Sequence, residues 1–270
     1  MALRIALVGN GKMGGALLRQ WCSMGQRDFP DAQFFVIDPM QELRVSGEDN
    51  PVHYLREPPP VEKSGFDLVI VAVKPQIVAE VLPDYVSRLS PDGFVASIAA
   101  GCSIERLQAL SGGAAVVRVM PNLPSAIGEG VSGLCADNRA TTEQRALIER
   151  LMAAAGTTVW VADEDILDRL TAVAGSGPGY VFEIARVYVD AAMQLGFSPE
   201  DARQLVLGTM AGAIAMAQRS QSSLDQLRTS VTSKNGTTAA GLEALNGDGT
   251  LGERFCATLT AAYERAVELR

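Results

Sequence analysis

The chain is short of the side chains that usually move protons. Among its 270 residues stand one histidine, His53, and four lysines, Lys12, Lys63, Lys74 and Lys234. His53 falls in a charged, surface-like stretch before a proline run, which makes it a poor general base. The four cysteines, Cys22, Cys102, Cys135 and Cys256, are scattered without paired spacing. That pattern excludes a disulfide framework and a zinc site, and no metal is expected. Such thiols are expected to be buried in a reducing compartment. No apolar run approaches the roughly 20 residues of a membrane helix, and glycines interrupt the first apolar run too early for a signal peptide. The expected location is cytoplasmic, with no membrane partner. A net charge of −8 argues against nucleic acid as a partner. What remains is a chain that is 47% hydrophobic and 20% charged, the balance of a folded protein with one large domain or two ordinary ones.

The first half alternates strand and helix signals. Leu3 to Val8 is a short apolar run followed by Gly9-Asn10-Gly11-Lys12-Met13-Gly14 and then by helical spacing from Gly15 to Trp21. A G-x-G-x-x-G between a strand and a helix predicts dinucleotide binding. Gly9 permits the turn, Gly11 admits a pyrophosphate, and Gly14 allows helix and strand to pack closely. A second strand ends at Asp38, about 20 residues further on, where a carboxylate accepts hydrogen bonds from ribose hydroxyls. An acidic group there repels a 2′-phosphate and favours NADH over NADPH. A plain turn residue before Pro39 is the competing reading. The "REPPP" stretch at 56–60 reads as a surface loop. The run ending at Ala72, Val73, Lys74 and Pro75 suits a parallel strand covered on both faces, whose end borders the ligand crevice. Ala99, Ala100 and Gly101 end another strand with room for a flat ring, and Asn122 ends a further one. An amphipathic helix at "EQRALIERLMAAAG" and a last strand at "TTVWVA" follow. The alternation predicts a doubly wound, Rossmann-like α/β sheet over residues 1–163.

From residue 164 onward the pattern is all helical. Gly175-Ser176-Gly177-Pro178 interrupts a long helical stretch, and Pro178 predicts a kink or break. Ser198 and Pro199 open a helix whose middle, "LVLGTMAGAIAMA", is apolar almost all round. A segment of this size hardly encloses such a helix alone, so a partner subunit is expected. The stretch "LRTSVTSKNGTT" reads as a loop and "TAAGLEAL" as a helix start. The amides near Gly236, Thr237 and Thr238 would form an anion nest fit for a carboxylate. Ordinary capping by Thr237 or Thr238 is the alternative.

A cofactor domain without the usual proton-transfer groups suits hydride transfer to a substrate that needs little proton help. An imine already protonated in water is such a substrate. The chain resembles the pyrroline-5-carboxylate reductase family along nearly its whole length. The resemblance is carried by "GNGKMGGAL" at 9–17, "VAVKPQ" at 71–76, "MPN" at 120–122, "AGSGPGYVF" at 174–182 and "VTSKNGTTAAGL" at 231–242. It implies reduction of 1-pyrroline-5-carboxylate, a cyclic imino acid, to L-proline with NADPH or NADH. It implies that Gly236, Thr237 and Thr238 hold the substrate carboxylate and that Thr238 also meets the ring nitrogen. It places Glu164 on the substrate side, where a solvated helix-start carboxylate is the rival reading. Ser230 stands where some members have Asn near the nicotinamide. The family usually reads Pro-Gly-Gly where this chain has Lys234-Asn235-Gly236, and Asn235 tolerates the left-handed backbone that glycine favours. The helical domain, 164–270, is implied to form an intertwined homodimer, often built up to a decamer. Two rivals remain: a hydroxy-acid dehydrogenase of similar architecture, which needs a lysine on a C-terminal helix, and a non-catalytic dinucleotide sensor.

Overall fold

Alternate residues of the first strand leave for opposite faces. In β1 (Leu3–Val8), Ile5 and Leu7 enter one apolar cluster, while Ala6 and Val8 enter another. A strand covered on both faces is apolar throughout for this reason. The computed structural model describes residues 2–29, 32–40, 52–61 and 65–270. Its strands are β1, β2 (Ala32–Ile37), β3 (Val52–Leu55), β4 (Phe66–Val71), β5 (Leu89–Ser97), β6 (Val116–Met120), β7 (Gly130–Ala136) and β8 (Gly156–Trp160). They form one sheet in the order β3-β2-β1-β4-β5-β6-β7-β8. Every neighbouring pair is parallel except β6 with β7.

Helices cover both faces. α1 (Lys12–Asp28) and α5 (Thr142–Ala153) pack on one side, where Leu17, Trp21, Ile148 and Leu151 are fully buried. The Trp21 indole N–H donates to the carbonyl of Leu151 at 2.9 Å and ties the two helices together. The other face holds α2 (Val78–Val81), α3 (Pro83–Val86) and α4 (Ile104–Leu110), through Val78, Leu82, Tyr85 and Leu107. Two strands fall outside the alternation expected from the sequence. β3 is a four-residue strand carrying His53, whose ring stacks on Phe35 at 4.7 Å. β7 runs antiparallel to β6 through the segment ahead of α5, so the sheet is mixed at that end.

Beyond β8 come α6 (Glu164–Leu170), a π-type turn (Thr171–Gly175), α7 (Gly177–Gln194), α8 (Pro199–Arg219), α9 (Leu224–Ser230), α10 (Thr237–Asn246) and α11 (Thr250–Glu268). The expected break at residues 175–178 is present as this widened turn followed by Ser176. The Ser198 side chain caps α8 and accepts from the N–H of Asp201. By contacts the chain divides into two units, Met1–Pro178 with Ala262–Arg270, and Gly179–Ala261. Within the second unit Leu205, Ile214 and Met216 of α8 are exposed on the single chain.

Candidate active site

The glycine loop is shaped by contacts that only glycine tolerates. Gly9 has φ +98°, and a Cβ there would stand 2.8 Å from the carbonyl oxygen of Ala72. A Cβ on Gly14 would stand 2.5 Å from the carbonyl oxygen of Gly9. Gly11 differs: a Cβ there meets no atom within 4 Å. It is the N-cap of α1, without a side-chain cap. The first intrahelical bond runs from Gly15 N–H to the Gly11 carbonyl at 2.8 Å. The amides of Lys12, Met13 and Gly14 therefore precede it and are free for an anion. Beside them lies a cleft of about 630 Å³, lined by Gly9, Gly11, Asp38, Ala72, Val73 and Lys74. Asn10 is buried, and its N–H donates to the Asp38 carboxylate at 2.7 Å.

At the ends of the next strands the sequence expectations separate. Ala72 N–H donates to the Val8 carbonyl at 2.8 Å, and Pro75 opens a short 3₁₀ turn, Pro75–Ile77. Ala99 is buried beside Ser97, whose hydroxyl accepts its N–H at 3.2 Å, and Ala100 is exposed. Gly101 has its own reason to be glycine. It sits at φ +71°, and a Cβ would come within 2.2 Å of the carbonyl oxygen of Leu269. Asn122 is buried and turned inward, with its side chain bonded to Ala174 and Val131.

Glu164 belongs to a buried ionic group that sequence reading did not foresee. Arg118, in the middle of β6 and 5% exposed, donates to the Glu164 carboxylate. The same carboxylate accepts the N–H of Ile104 at 2.9 Å, at the start of α4. Asp168, 2% exposed, lies 3.9 Å from Arg118 and 3.1 Å from Arg270. Burial pushes the Asp168 carboxyl up from its ordinary range, against the opposing pull of Arg270 and Arg118. The signal was an arginine inside the apolar run "VVRVM", since a buried charge requires partners. Burial also pushes up the thiols of Cys102 and Cys135, the latter to about 11, so neither supplies a thiolate. Among the described residues no His, Cys, Asp and Glu gather as a metal site.

In the second unit the polar stretch at 227–238 is only partly a loop. Residues 227–230 are the end of α9, because the helix continues until its hydroxyls turn back on its own carbonyls. Ser230 donates to Leu227 at 2.7 Å and Thr232 to Arg228 at 2.6 Å. These local bonds compete with continuation of the helix. Asn235 then adopts φ 61°, the one positive φ outside glycine among the described residues. Gly236 is the N-cap of α10 and has no side-chain cap bond. Its own N–H donates to Ser233 at 3.0 Å, and the first helical bond runs from Ala240 to Gly236 at 3.2 Å. The amides of Thr237, Thr238 and Ala239 thus face outward from the helix start, beside two exposed threonine side chains.

Two family models match separate stretches of the chain. Residues 4–101 match the family described as NADP oxidoreductase, coenzyme F420-dependent, and residues 164–269 match that described as pyrroline-5-carboxylate reductase dimerisation. A pyrroline-5-carboxylate reductase from Pseudomonas aeruginosa is 36% identical over 269 residues, 98% of this chain and 96% of that one. The solved structure of a pyrroline-5-carboxylate reductase from Coxiella burnetii shares 31% identity, with a TM-score of 0.87, over 100% of this chain and 99% of the other. A Plasmodium falciparum pyrroline carboxylate reductase solved with NADP bound has the same fold, with a TM-score of 0.80 at 24% identity over 99% of each chain.

Proposed function

The chain belongs to the pyrroline-5-carboxylate reductase family, and we infer from this and from its two sites that it reduces 1-pyrroline-5-carboxylate to L-proline with NADH or NADPH. The observation that carries the substrate assignment is the start of α10. There an uncapped helix N-terminus offers amides at Thr237 and Thr238, and the exposed threonine side chains stand beside them. The amides of Thr237 and Thr238 take the carboxylate of the imino acid without a cationic side chain, whereas the Gly236 N–H expected beside them is already spent on Ser233. The Thr238 hydroxyl orients the ring nitrogen, which is already protonated in water. No side-chain acid is then required, which suits a chain with one histidine and no lysine on the helices of its second half.

The dinucleotide is assigned to the cleft beside Gly9, Gly11 and Asp38. The fit rests on two features of the chain: free amides at the start of α1, and open space at Gly11 where a backbone can approach a phosphate. When bound, the reduced nicotinamide supplies the hydride. We assign residues 1–163 to cofactor binding and 164–270 to substrate and dimerisation, in keeping with the family match that begins at 164. Ser230 and Glu164 remain secondary parts of the proposal. The hydroxyl of the first already meets Leu227, and the carboxylate of the second already meets Arg118 and Ile104.

The chain is a homo-oligomer of the dimerising family type. Leu205, Ile214 and Met216 give α8 an apolar surface that a second copy covers. Assembly into a decamer and a cytoplasmic location belong to the same proposal. Among the described residues no helix is long and apolar enough to cross a membrane.

The test is oxidation of NADH or NADPH on adding 1-pyrroline-5-carboxylate, with proline as product. Oxidation of the reduced dinucleotide by a keto acid alone, or reduction of the oxidised one by a hydroxy acid, would point to the hydroxy-acid dehydrogenases. Dinucleotide binding without turnover of any substrate would make the chain a sensor.

A further inference from the structure

We infer that Leu269 and Arg270 form a strap that holds the connection after β5, residues 99–103, in the shape that the dinucleotide meets. Both are positioning residues, and the inference rests on the cofactor assignment above. The strap lies directly on the connection. A Cβ on Gly101 would stand 2.2 Å from the carbonyl oxygen of Leu269 and 2.9 Å from its carbonyl carbon, so two backbones touch there. Next to Gly101, Cys102 is fully buried, and Ser103 caps α4.

α6 fastens both the strap and the far end of the connection. Arg270 pairs with the buried Asp168 at 3.1 Å. On α11, Tyr263 donates to the Asp165 carboxylate, and Arg169, paired with Asp165 at 2.7 Å, lies over the Tyr263 ring at 5.6 Å. The Asp165 pair is exposed and adds little by itself. The Asp168 pair matters more, because loss of Arg270 strips a buried carboxyl of a partner. One turn of α6 earlier, Glu164 accepts the N–H of Ile104, at the start of α4. Arg118 reaches both carboxylates, bonding Glu164 and standing 3.9 Å from Asp168.

The connection matters to the cofactor through its place on the sheet. β1, β4 and β5 are parallel, so residues 99–101 leave β5 at the edge where the glycine loop leaves β1. A connection already held in shape costs a ligand little to order. Freed, each residue that binding must order weakens affinity by roughly 5- to 30-fold. NADH and NADPH differ only on the adenosine, so a loss at the end of β5 falls on both alike.

Titration with NADH and with NADPH, read by the fluorescence of the reduced nicotinamide well below every melting temperature, tests the inference. The proteins are the parent, Arg270→Ala, Arg270→Lys and a variant lacking Leu269 and Arg270. Arg270→Ala and the shortened variant should bind both dinucleotides more weakly by the same factor, roughly 5- to 30-fold. Arg270→Lys keeps a cation for Asp168 and should recover most of that loss. A lowered melting temperature with parental affinity for both dinucleotides would make the strap merely structural and overturn the inference. Should the variants fail to fold, hydrogen exchange of the parent decides. Added NADH should slow exchange in 99–104 and in 262–270 together. Slowing in 9–14 without slowing in both of those segments overturns this inference and leaves the cofactor assignment standing. A parent that binds neither dinucleotide overturns the assignment itself, and this inference with it.

Discussion

Asn122 holds Ala174: its side-chain nitrogen donates to the Ala174 carbonyl at 3.0 Å, while its side-chain oxygen accepts from Val131 N–H at 2.8 Å. The bond joins the end of β6 to the π-type turn Thr171–Gly175, where a widened turn shifts the ordinary helical pairing. A strand-end residue expected among those that bind the cofactor thus spends its amide on the protein.

Asn122→Asp keeps the acceptor for Val131 and removes the donor for Ala174. Leaving a half-buried carbonyl unmet costs up to about 1–3 kcal/mol. The urea midpoint should fall accordingly, with dinucleotide affinity changed little. A variant of parental stability with weakened NADH binding would contradict this and return Asn122 to the cofactor.

The two glycines of the loop separate fold from binding. At Gly11 an added side chain meets no protein atom within 4 Å, whereas at Gly14 a Cβ falls 2.5 Å from the Gly9 carbonyl oxygen. Gly11→Val should therefore keep its melting temperature and lose dinucleotide affinity. Gly14→Val should lose both, because the clash is with backbone. Calorimetry and cofactor titration of the pair check this. Unchanged NADH and NADPH binding in Gly11→Val would remove the loop from the cofactor site.

Asp168 should leave a mark on stability against pH. Its folded carboxyl is raised, chiefly by burial. A carboxyl raised on folding adds stability that is full below the ordinary carboxylate range, near about 4, and is lost as pH rises through the raised value. Asp168→Asn stays neutral throughout. The stability of the parent relative to this variant should fall as pH climbs above about 4. Arg270→Ala removes a cation that favours the ionised form, and should extend the window upward. Denaturation at a series of pH values reads the slope. A parent that gains on Asp168→Asn with rising pH would mean that the two arginines outweigh burial.

Much of this molecule was legible in its sequence, and the misses have physical reasons. β1, the glycine loop and α1 are local features, set by an apolar run, glycines and helical spacing. The Ser198 cap and the left-handed Asn235 are also local, and both are present. β3 and β7 are not local. Val52–Leu55 is a strand because β2 lies beside it, and Gly130–Ala136 because β6 and β8 flank it. Gly101 is glycine because Leu269 approaches from far along the chain. The partners of Glu164 were hidden for the same reason, since Arg118 and Ile104 are distant in sequence. The stretch at 227–230 misled because its hydroxyls read as loop, while they bond back to carbonyls of α9.

The central claim is that the start of α10 holds the imino acid and that the Thr238 hydroxyl orients its nitrogen. Thr238→Val keeps the shape and removes the oxygen. A lost hydrogen bond to a charged partner is worth roughly 1.5–3 kcal/mol, or about 10- to 150-fold in kcat/KM. Steady-state reduction of 1-pyrroline-5-carboxylate by parent and Thr238→Val, at saturating dinucleotide, measures it. The account predicts a loss of that size with dinucleotide affinity unchanged. Reduction at the parental rate would contradict it and leave Thr238 an ordinary residue of a helix start.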